Sequence, residues 1–276
     1  MLLRLIKHPV FLFLVTLVSP AAGVVTFPSG NLTLHGVIYV PSGKGPFPTV
    51  LFNHDSAPGM YCNEAFEALG PAFAKEGWVF FAPWRRGQGL SADAGPYIGS
   101  QIAASWEKGG PAAADATAVH LLQTDHLQDQ LAGLAWLREQ RFVDQSRIAV
   151  IGDSFGGIET LFGSEKERYC AAADIAGGAK SWTEAPQLQA AMKRAASHSK
   201  SPIFFIQAEN DYDLTPSKVL SKVARGAGQM AEVKIYPPFG KSAQNGHSFG
   251  YRGTTIWRSD ALKFMEQNCK SHLRVH

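Results

Sequence analysis

The stretch IAVIGDSFGGIETLF, residues 148–162, decides the fold because its character changes at a single serine. Apolar β-forming residues precede Ser154, and the residues that follow it can form a helix. Gly152 and Gly156 flank the serine in the pattern G-x-S-x-G, which is typical of a sharp turn that exposes a hydroxyl at the carboxyl end of a strand. A larger side chain at either glycine would collide with the neighbouring strand or helix. The stretch therefore predicts a strand–turn–helix unit that presents Ser154.

Short apolar runs alternate with helical patterns along the rest of the chain. Nearly continuous apolar runs indicate strands that are covered on both faces, as in a parallel sheet. These runs are 49–53, 78–83, 147–153, 202–209 and 232–238, and an alternating run at 32–40 predicts an antiparallel first strand. Helices are predicted at 61–76, 125–140, 155–167, 185–197, 216–228 and 256–270. The alternation predicts an α/β protein, doubly wound around a mostly parallel central sheet that is flanked by helices.

The stretch 88–124 is the least regular part of the predicted domain. It is rich in alanine and glycine, and it is too long for a simple connection between two elements. We therefore expect an irregular excursion over the edge of the sheet, with a short helix around 112–122.

Residues 1–23 have the order of a signal peptide: a basic start, an apolar run at Val10–Val18, and small residues at the end. The apolar run is too short to span a bilayer as a helix. The sequence thus predicts a secreted or periplasmic protein, cleaved near Ala21–Gly23, with a single domain at 24–276. A buried N-terminal helix or an uncleaved anchor is the alternative.

Charge and cysteine content exclude several classes of partner. The formal net charge is +3, and it falls to +1 without Arg4 and Lys7, since residues 1–23 contain no acid. A nearly neutral chain has no electrostatic basis for binding nucleic acid or an anionic membrane. Cys62, Cys170 and Cys269 allow one disulfide and one thiol, with the pairing open. The three cysteines form no C-x-x-C pair, and neither a metal nor an organic cofactor is predicted.

A serine becomes a nucleophile when a histidine takes its proton and a carboxylate orients that histidine. In a doubly wound sheet these partners follow later strands, in the order serine, acid, histidine. Of the nine histidines, His247 lies in a glycine-flanked loop after the last predicted strand. The preceding loop offers Glu209, Asp211 and Asp213. We favour Asp211, because Glu209 belongs to a strand end and Asp213 is placed to cap the next helix.

At these residues the chain resembles the α/β-hydrolase superfamily, and within it the dienelactone hydrolase-like group related to the catalytic domains of prolyl oligopeptidases. The resemblance runs from about residue 32 to residue 270 and implies an α/β-hydrolase fold of about eight strands. It is carried by FNHDSAPG (52–59), FAPWRRGQGLS (81–91), GDSFGG (152–157), AENDYDLTP (208–216) and NGHSFG (245–250).

The resemblance implies Ser154 as nucleophile, Asp211 as orienting acid and His247 as base. Dienelactone hydrolases proper carry cysteine at the nucleophile position, where this chain has serine. That departure argues against opening of the dienelactone ring and favours general ester hydrolysis.

The resemblance also implies an oxyanion hole formed by two backbone N–H groups, those of Phe155 and Ser56. Asp55 stands where the family commonly has glycine. A carboxylate beside an oxyanion would oppose its negative charge. We therefore expect the Asp55 side chain to turn away, toward a backbone or cationic partner, and His54 to be a structural hydrogen-bonding residue.

Aromatic residues near the expected site could bind substrate or pack in the core, and the sequence leaves both interpretations open. The residues predicted to line the pocket are Tyr61, Trp84, Tyr212 and Phe249, and Trp106 falls in the same region. Arg85 and Arg86 could recognise a substrate carboxylate, but we favour structural ion pairs for them.

The leading hypothesis is a serine carboxylesterase that hydrolyses small-molecule esters through an acyl-enzyme on Ser154. A peptidase or amidase of the prolyl oligopeptidase-like group would use the same chemistry, although the sequence shows no site for a peptide backbone. A non-catalytic binding protein on the same fold is the third hypothesis, because fold does not fix function.

Overall fold

The computed structural model describes residues 21–56 and 63–270. Its centre is an eight-stranded sheet in the order β1-β2-β4-β3-β5-β6-β7-β8. The strands are β1 (Ala21–Ser29), β2 (Leu32–Val40), β3 (Phe47–Asn53), β4 (Val79–Pro83), β5 (Val143–Asp153), β6 (Ala172–Ile175), β7 (Ile203–Ala208) and β8 (Ala231–Tyr236). β1 and β2 pair antiparallel, and β2 joins β4 antiparallel. All other pairs are parallel.

Helices cover both faces of the sheet. They are α1 (Asn63–Lys75), α2 (Ile98–Gln123), α3 (Asp125–Glu139), α4 (Phe155–Lys166), α5 (Pro186–Ser197), α6 (Thr215–Gly226), α7 (Ala243–His247), α8 (Phe249–Arg252) and α9 (Thr254–Asn268), with 3-10 turns at Gly89–Ala94 and Trp182–Glu184. Core residues of α2 to α6 pack on one face, and those of α1 and α9 pack on the other. The prediction of a doubly wound, mostly parallel sheet is thus confirmed.

The two hydrophobic cores share the same strands. In β4, Val79 and Phe81 face one core while Phe80 and Ala82 face the other, and all four are fully buried. Successive side chains of a strand point to opposite faces. A strand with a core on each side must therefore be apolar at every position, which explains the continuous runs in the sequence.

Two strands were absent from the sequence prediction. β1 begins at Ala21, within the end of the predicted signal peptide, whose remainder lies outside the described residues. β6 has only four residues, of which two are alanine, and alanine is a weak strand signal.

The expectation that 88–124 is irregular was wrong. A 3-10 turn is followed by α2, a 26-residue helix that breaks once, at Gly110. Gly110 has φ 69° and ψ −162°, a conformation that a side chain would disfavour, and Pro111 restarts the helix. The many alanines that made the segment look featureless are the best helix formers. In the described part of the chain, no helix has the length and apolar content needed to cross a membrane.

A disulfide joins Cys170, just before β6, to Cys269 at the end of α9. The sequence left this pairing open, and Cys62 lies outside the described residues. The bond closes a loop with a sequence separation of 99 residues. A covalent link over so long a loop removes much of the conformational entropy of the unfolded chain.

Replacing both Cys170 and Cys269 with alanine should therefore lower the free energy of unfolding by about 2–5 kcal/mol. Urea unfolding followed by circular dichroism measures the difference. Wild-type protein unfolded in the presence of dithiothreitol should shift to the same midpoint. An unchanged midpoint under reduction would show that the bond does not form or does not stabilise the fold.

Candidate active site

Ser154 occupies the turn between β5 and α4 in an unusual backbone conformation. Its φ is 57° and its ψ is −113°, values that are rare for a residue with a side chain. The Ser154 N–H donates to the carbonyl of Ile175 in β6, at 2.8 Å. Such local strain persists only where the surroundings enforce it, and it concentrates at functional sites.

The two motif glycines are required by close backbone approach. A Cβ atom on Gly152 would overlap the carbonyl oxygen of Gly156, and a Cβ on Gly156 would overlap the carbonyl of Asn53 at the end of β3. The start of α4 therefore packs directly onto two neighbouring strand ends. This packing is the physical basis of the G-x-S-x-G pattern at this turn.

Ser154, His247 and Asp211 come together in one hydrogen-bonded chain. His247 Nε2 lies 2.9 Å from Ser154 Oγ, and His247 Nδ1 lies 2.8 Å from Asp211 Oδ1. The exposed fractions of the three residues are 7%, 3% and 8%. With Nδ1 protonated and donating to the carboxylate, Nε2 is left to accept the serine proton.

The acid loop distinguishes Asp211 from Asp213. Asp211 Oδ2 accepts from the Gln207 side-chain amide at 2.7 Å, and Oδ1 also accepts from the N–H of Tyr212 at 2.7 Å. These donors fix the orientation of the carboxylate. Asp213 instead accepts from the N–H of Thr215, the first residue of α6, at 2.8 Å. Asp213 therefore stabilises the helix start, while Asp211 contacts the histidine.

The loop that carries His247 is fastened to the acid loop. The Asn210 side-chain amide donates to the carbonyls of Phe239 and Ser242, at 3.0 and 2.9 Å. The Ser242 hydroxyl in turn accepts from the N–H of Asn245 and caps α7. The imidazole and the carboxylate thus belong to two loops that support each other.

The two predicted oxyanion donors differ in their surroundings. Phe155 is the first residue of α4, where backbone N–H groups have no acceptor within the helix. The Ser56 N–H is already engaged, because it donates to the Asp55 carboxylate at 2.6 Å. The Asp55 side chain has a backbone partner, as expected, but that partner is the N–H predicted as the second oxyanion donor. A short acidic side chain readily accepts from a nearby backbone N–H, and here it takes the predicted donor.

A buried ion pair supports the loop at residues 54–56. The Arg85 guanidinium donates to Glu159 at 2.5 Å and to the backbone carbonyl of Asp55 at 2.8 Å. Burial and the neighbouring guanidinium hold the pKa of His54 well below its usual value, so this imidazole is neutral. Burial raises the pKa of Glu159 to about 7, against the opposing effect of Arg85.

The ion-pair interpretation of the two arginines is confirmed. Arg85 pairs with Glu159, as described above. Arg86 contacts Asp129 at 2.7 Å and Asp125 at 3.1 Å, on the first turns of α3. Both guanidinium groups are therefore used to hold loops and helices together.

Two of the predicted substrate-binding aromatics belong to the core. Trp84 is 1% exposed and its ring lies 5.3 Å from that of Phe66. Phe249 is 2% exposed and packs on Tyr236 and Phe239. Their assignment to the substrate pocket was wrong. Both residues are close in sequence to residues of the site, but their side chains are buried in the hydrophobic core.

Tyr212 lies beside the hydrogen-bonded chain. It is 47% exposed, its ring centre is 5.5 Å from that of His247, and its hydroxyl donates to Gln244 at 2.9 Å. The Lys180 ammonium lies 5.3 Å from the same ring. Tyr61, the fourth predicted pocket residue, lies outside the described residues.

Lys180 and the loop around it are absent from the sequence prediction. Lys180 shares a cavity of about 120 Å³ with Ser154, Ser56 and Phe155. The loop follows β6, the short strand that the sequence pattern did not reveal. Recognition of that strand would have placed Lys180 at the carboxyl edge of the sheet, where ligands bind in open α/β sheets.

Two further carboxyl groups are buried beneath the serine turn. Burial, with a smaller contribution from neighbouring acids, raises the pKa of Asp153 well above its usual value. Burial also raises the pKa of Asp174 to about 7, although the N–H of Gly177 donates to it at 2.8 Å. Well below pH 7 the Asp174 carboxyl is therefore uncharged and adds no negative charge near Ser154.

The raised pKa of Asp174 predicts a pH-dependent cost to stability. Below about pH 4 this carboxyl is protonated in both the folded and the unfolded chain. Between about pH 4 and 7 only the folded chain keeps the proton. As the pH rises through this range, the free energy of unfolding therefore falls by up to about 1.4 kcal/mol for each pH unit. Asp174→Asn keeps an acceptor for Gly177 and should remove this loss.

Urea unfolding of wild type and Asp174→Asn at several pH values between 4.5 and 7.5 measures the effect. The variant should gain stability relative to wild type as the pH rises. Titrating groups that do not interact with residue 174 cancel in the difference between the two proteins. A difference that stays constant with pH would contradict the raised pKa.

No set of three or more histidine, cysteine, aspartate or glutamate side chains that could hold a metal ion occurs within residues 21–56 and 63–270.

Comparison with known proteins gives one family and many structures of the same fold. The Dienelactone hydrolase family matches residues 34–267. An acylaminoacyl peptidase of Pyrococcus horikoshii superposes with a TM-score of 0.65 at 20% identity, covering 94% of this chain and 43% of that one. An esterase of Pyrococcus furiosus gives 0.66 at 16% identity, covering 91% and 94%. A puromycin-hydrolyzing peptidase of Mycobacterium tuberculosis gives 0.63 at 18% identity, covering 92% and 40%.

These structural matches establish the α/β-hydrolase fold. This chain spans less than half the length of either peptidase, whereas it and the esterase are of similar extent. At identities of 20% or below, the matches carry no information about substrate.

Proposed function

The chain belongs to the dienelactone hydrolase family, and from that premise we propose that it is a serine hydrolase that cleaves carboxylic esters through an acyl-enzyme on Ser154. The observation that carries the proposal is the buried hydrogen-bonded chain from Ser154 through His247 to Asp211, at 2.9 and 2.8 Å. A serine that is held in a strained turn and hydrogen-bonded to an oriented imidazole is the arrangement that nucleophilic catalysis requires.

In the first half of the proposed reaction, Ser154 Oγ attacks the ester carbonyl carbon while His247 Nε2 takes the hydroxyl proton. The imidazolium that forms is stabilised by the Asp211 carboxylate. Negative charge develops on the carbonyl oxygen, toward the N–H of Phe155 at the start of α4. His247 then gives its proton to the leaving alcohol, and the acyl group remains on Ser154.

In the second half, water replaces the alcohol. His247 takes a proton from this water, which attacks the acyl carbon. The second tetrahedral intermediate collapses, Ser154 leaves as the proton returns to it, and a carboxylic acid is released. The same three side chains therefore serve both halves, and the reaction consumes only water and the ester.

The state of Ser56 supports esters over amides as substrates. Its N–H donates to Asp55 at 2.6 Å, so stabilisation of the oxyanion at this position requires that bond to exchange. One oxyanion donor is typically worth a factor of about 10²–10³ in kcat. Esters tolerate such a loss better than amides, because their carbonyl is less stabilised by resonance and an alkoxide leaves more readily than an amide anion.

Titration with a fluorophosphonate tests the proposal. The reagent should abolish hydrolysis of p-nitrophenyl acetate at one equivalent per chain, and the label should be recovered on the peptide that contains Ser154. The matched anilide, p-nitroacetanilide, should be cleaved far more slowly than the ester. Absence of labelling, together with no ester hydrolysis, would contradict the proposal and favour a non-catalytic binding role.

A further inference from the structure

An apolar cavity of about 170 Å³ opens beside the serine turn, between α2, α4 and α5. Its walls include Ile102, Trp106, Ala118, Leu122, Ile158 and Leu188. Trp106 stands at its rim with 51% of its surface exposed. An exposed apolar surface that lines a concave site is typical of a ligand-binding groove.

The cavity adjoins a smaller cavity that contains the proposed nucleophile. Phe155, Ile158 and Ser181 line both this apolar cavity and the smaller cavity that contains Ser154. An acyl group bonded to Ser154 Oγ would therefore have to pass these three residues to enter the apolar cavity.

The walls of the cavity are held in place by specific contacts. The interruption of the helix at Gly110 and Pro111 divides α2 into two arms. Asp115, on the second arm, accepts from the N–H groups of Gln187 and Leu188 at the start of α5, at 2.7 and 3.1 Å. Four N–H groups at a helix start lack partners within the helix, so this carboxylate both caps α5 and fixes α2 against it. The cavity is thus framed by fixed elements.

The chemistry of the proposed reaction decides which half of the ester enters this cavity. His247 Nε2 must protonate the leaving oxygen, so the alcohol has to lie on the His247 side of Ser154. That side opens to a polar cavity of about 460 Å³, which Lys180, Gln244, Ser248 and Arg252 help to line. The acyl group is thereby directed the other way, toward Phe155 and Ile158.

We propose that the apolar cavity is the acyl-binding site and that it selects esters whose acyl group is apolar and about six carbons long, with a polar alcohol on the His247 side. The proposal rests on the esterase activity proposed above. The size follows from volume, because an apolar cavity of about 150 Å³ accommodates a benzene ring, and this cavity has about 170 Å³. Longer chains must extend past Trp106 into solvent and gain little further binding.

Two isomeric esters test the orientation. Methyl hexanoate and pentyl acetate have the same atoms, but the long chain is on the acyl side in the first and on the alcohol side in the second. We expect a higher kcat/KM for methyl hexanoate by about tenfold or more, since each buried methylene contributes about 0.8 kcal/mol. A preference for pentyl acetate would overturn the acyl assignment.

A chain-length series tests the site itself. With p-nitrophenyl esters from acetate to laurate, kcat/KM of the wild type should be highest near hexanoate. Ala118→Phe fills the cavity, and it should lower the hexanoate-to-acetate ratio of kcat/KM by about 10- to 100-fold, because a pocket one or two methylenes too small excludes the longer acyl group. Trp106→Ala opens the rim and should move the optimum to longer chains.

Ala116→Phe is the matched control, because Ala116 is exposed on α2 and does not line the cavity. Its chain-length profile should equal that of the wild type. If Ala118→Phe and Trp106→Ala both hydrolyse esters with the wild-type profile, the acyl-site proposal is wrong while the esterase proposal stands. If the wild type hydrolyses no ester, and the fluorophosphonate does not label Ser154, the proposed function itself fails.

Discussion

Ser154→Ala is expected to lower kcat for ester hydrolysis by about five to six orders of magnitude. The change removes the atom to which the acyl group would bond, so the reaction would have to proceed by direct attack of water. In serine hydrolases that use a triad, loss of the nucleophile costs about as much as loss of all three residues. Steady-state hydrolysis of p-nitrophenyl hexanoate, with single-turnover experiments at high enzyme concentration, measures the loss.

Ser164→Ala is the matched control for this variant. Ser164 is a buried serine on α4, the helix that follows the Ser154 turn, and its hydroxyl donates to the carbonyl of Thr160 in the same helix at 2.7 Å. It should keep kcat within about threefold of wild type, because no reacting group contacts it. Esterase activity of Ser154→Ala comparable to that of Ser164→Ala would rule out Ser154 as the nucleophile.

Asp211→Asn is expected to lower kcat by about four orders of magnitude at neutral pH. The asparagine amide is nearly isosteric, but its NH₂ group would face His247 and favour the tautomer with its proton on Nε2, which cannot accept the serine proton. The buried imidazolium would also lose its counter-charge. The rate of ester hydrolysis across pH 6–9 and the rate of fluorophosphonate labelling should both fall.

Asp213→Asn provides the comparison within the same loop. Asp213 accepts from the N–H of Thr215 at the start of α6, and asparagine caps helices about as well as aspartate. This variant should keep kcat near that of wild type, with a stability change of about 1 kcal/mol or less. If instead Asp213→Asn lost activity and Asp211→Asn kept it, the assignment of the orienting acid would be reversed.

The fold and the three hydrogen-bonded residues could be predicted because each depends on a rule that is local in sequence. Alternate faces of a buried strand impose a continuous apolar run, which is why five parallel strands were recognisable. The glycines around Ser154 mark a backbone collision that no other residue avoids. The position of His247 follows from the chain order of strand ends in a doubly wound sheet.

The predictions were wrong where tertiary packing, rather than the local sequence, determines the structure. Trp84 follows the end of β4 and Phe249 stands two residues after His247, as pocket residues could, but both are buried in the core. Nothing in the local sequence distinguishes a ring that turns inward from one that turns toward substrate. The helical state of 88–124 was hidden because alanine and glycine occur together there, and α2 is completed by contacts with α5 that lie about 70 residues away in sequence.

The hydrogen bond from the Ser56 N–H to the Asp55 carboxylate would compete with binding of an oxyanion at the same N–H. A backbone N–H donates one strong hydrogen bond at a time. To bind the Ser56 N–H, the oxyanion of each transition state would have to displace the carboxylate of the preceding residue, Asp55. The Asp55 carboxylate belongs to the same chain, so its effective concentration at the Ser56 N–H is the same whichever ester is bound. It would limit the turnover of all esters equally, and the order of preference among esters would depend on the contacts made by their acyl and alcohol groups.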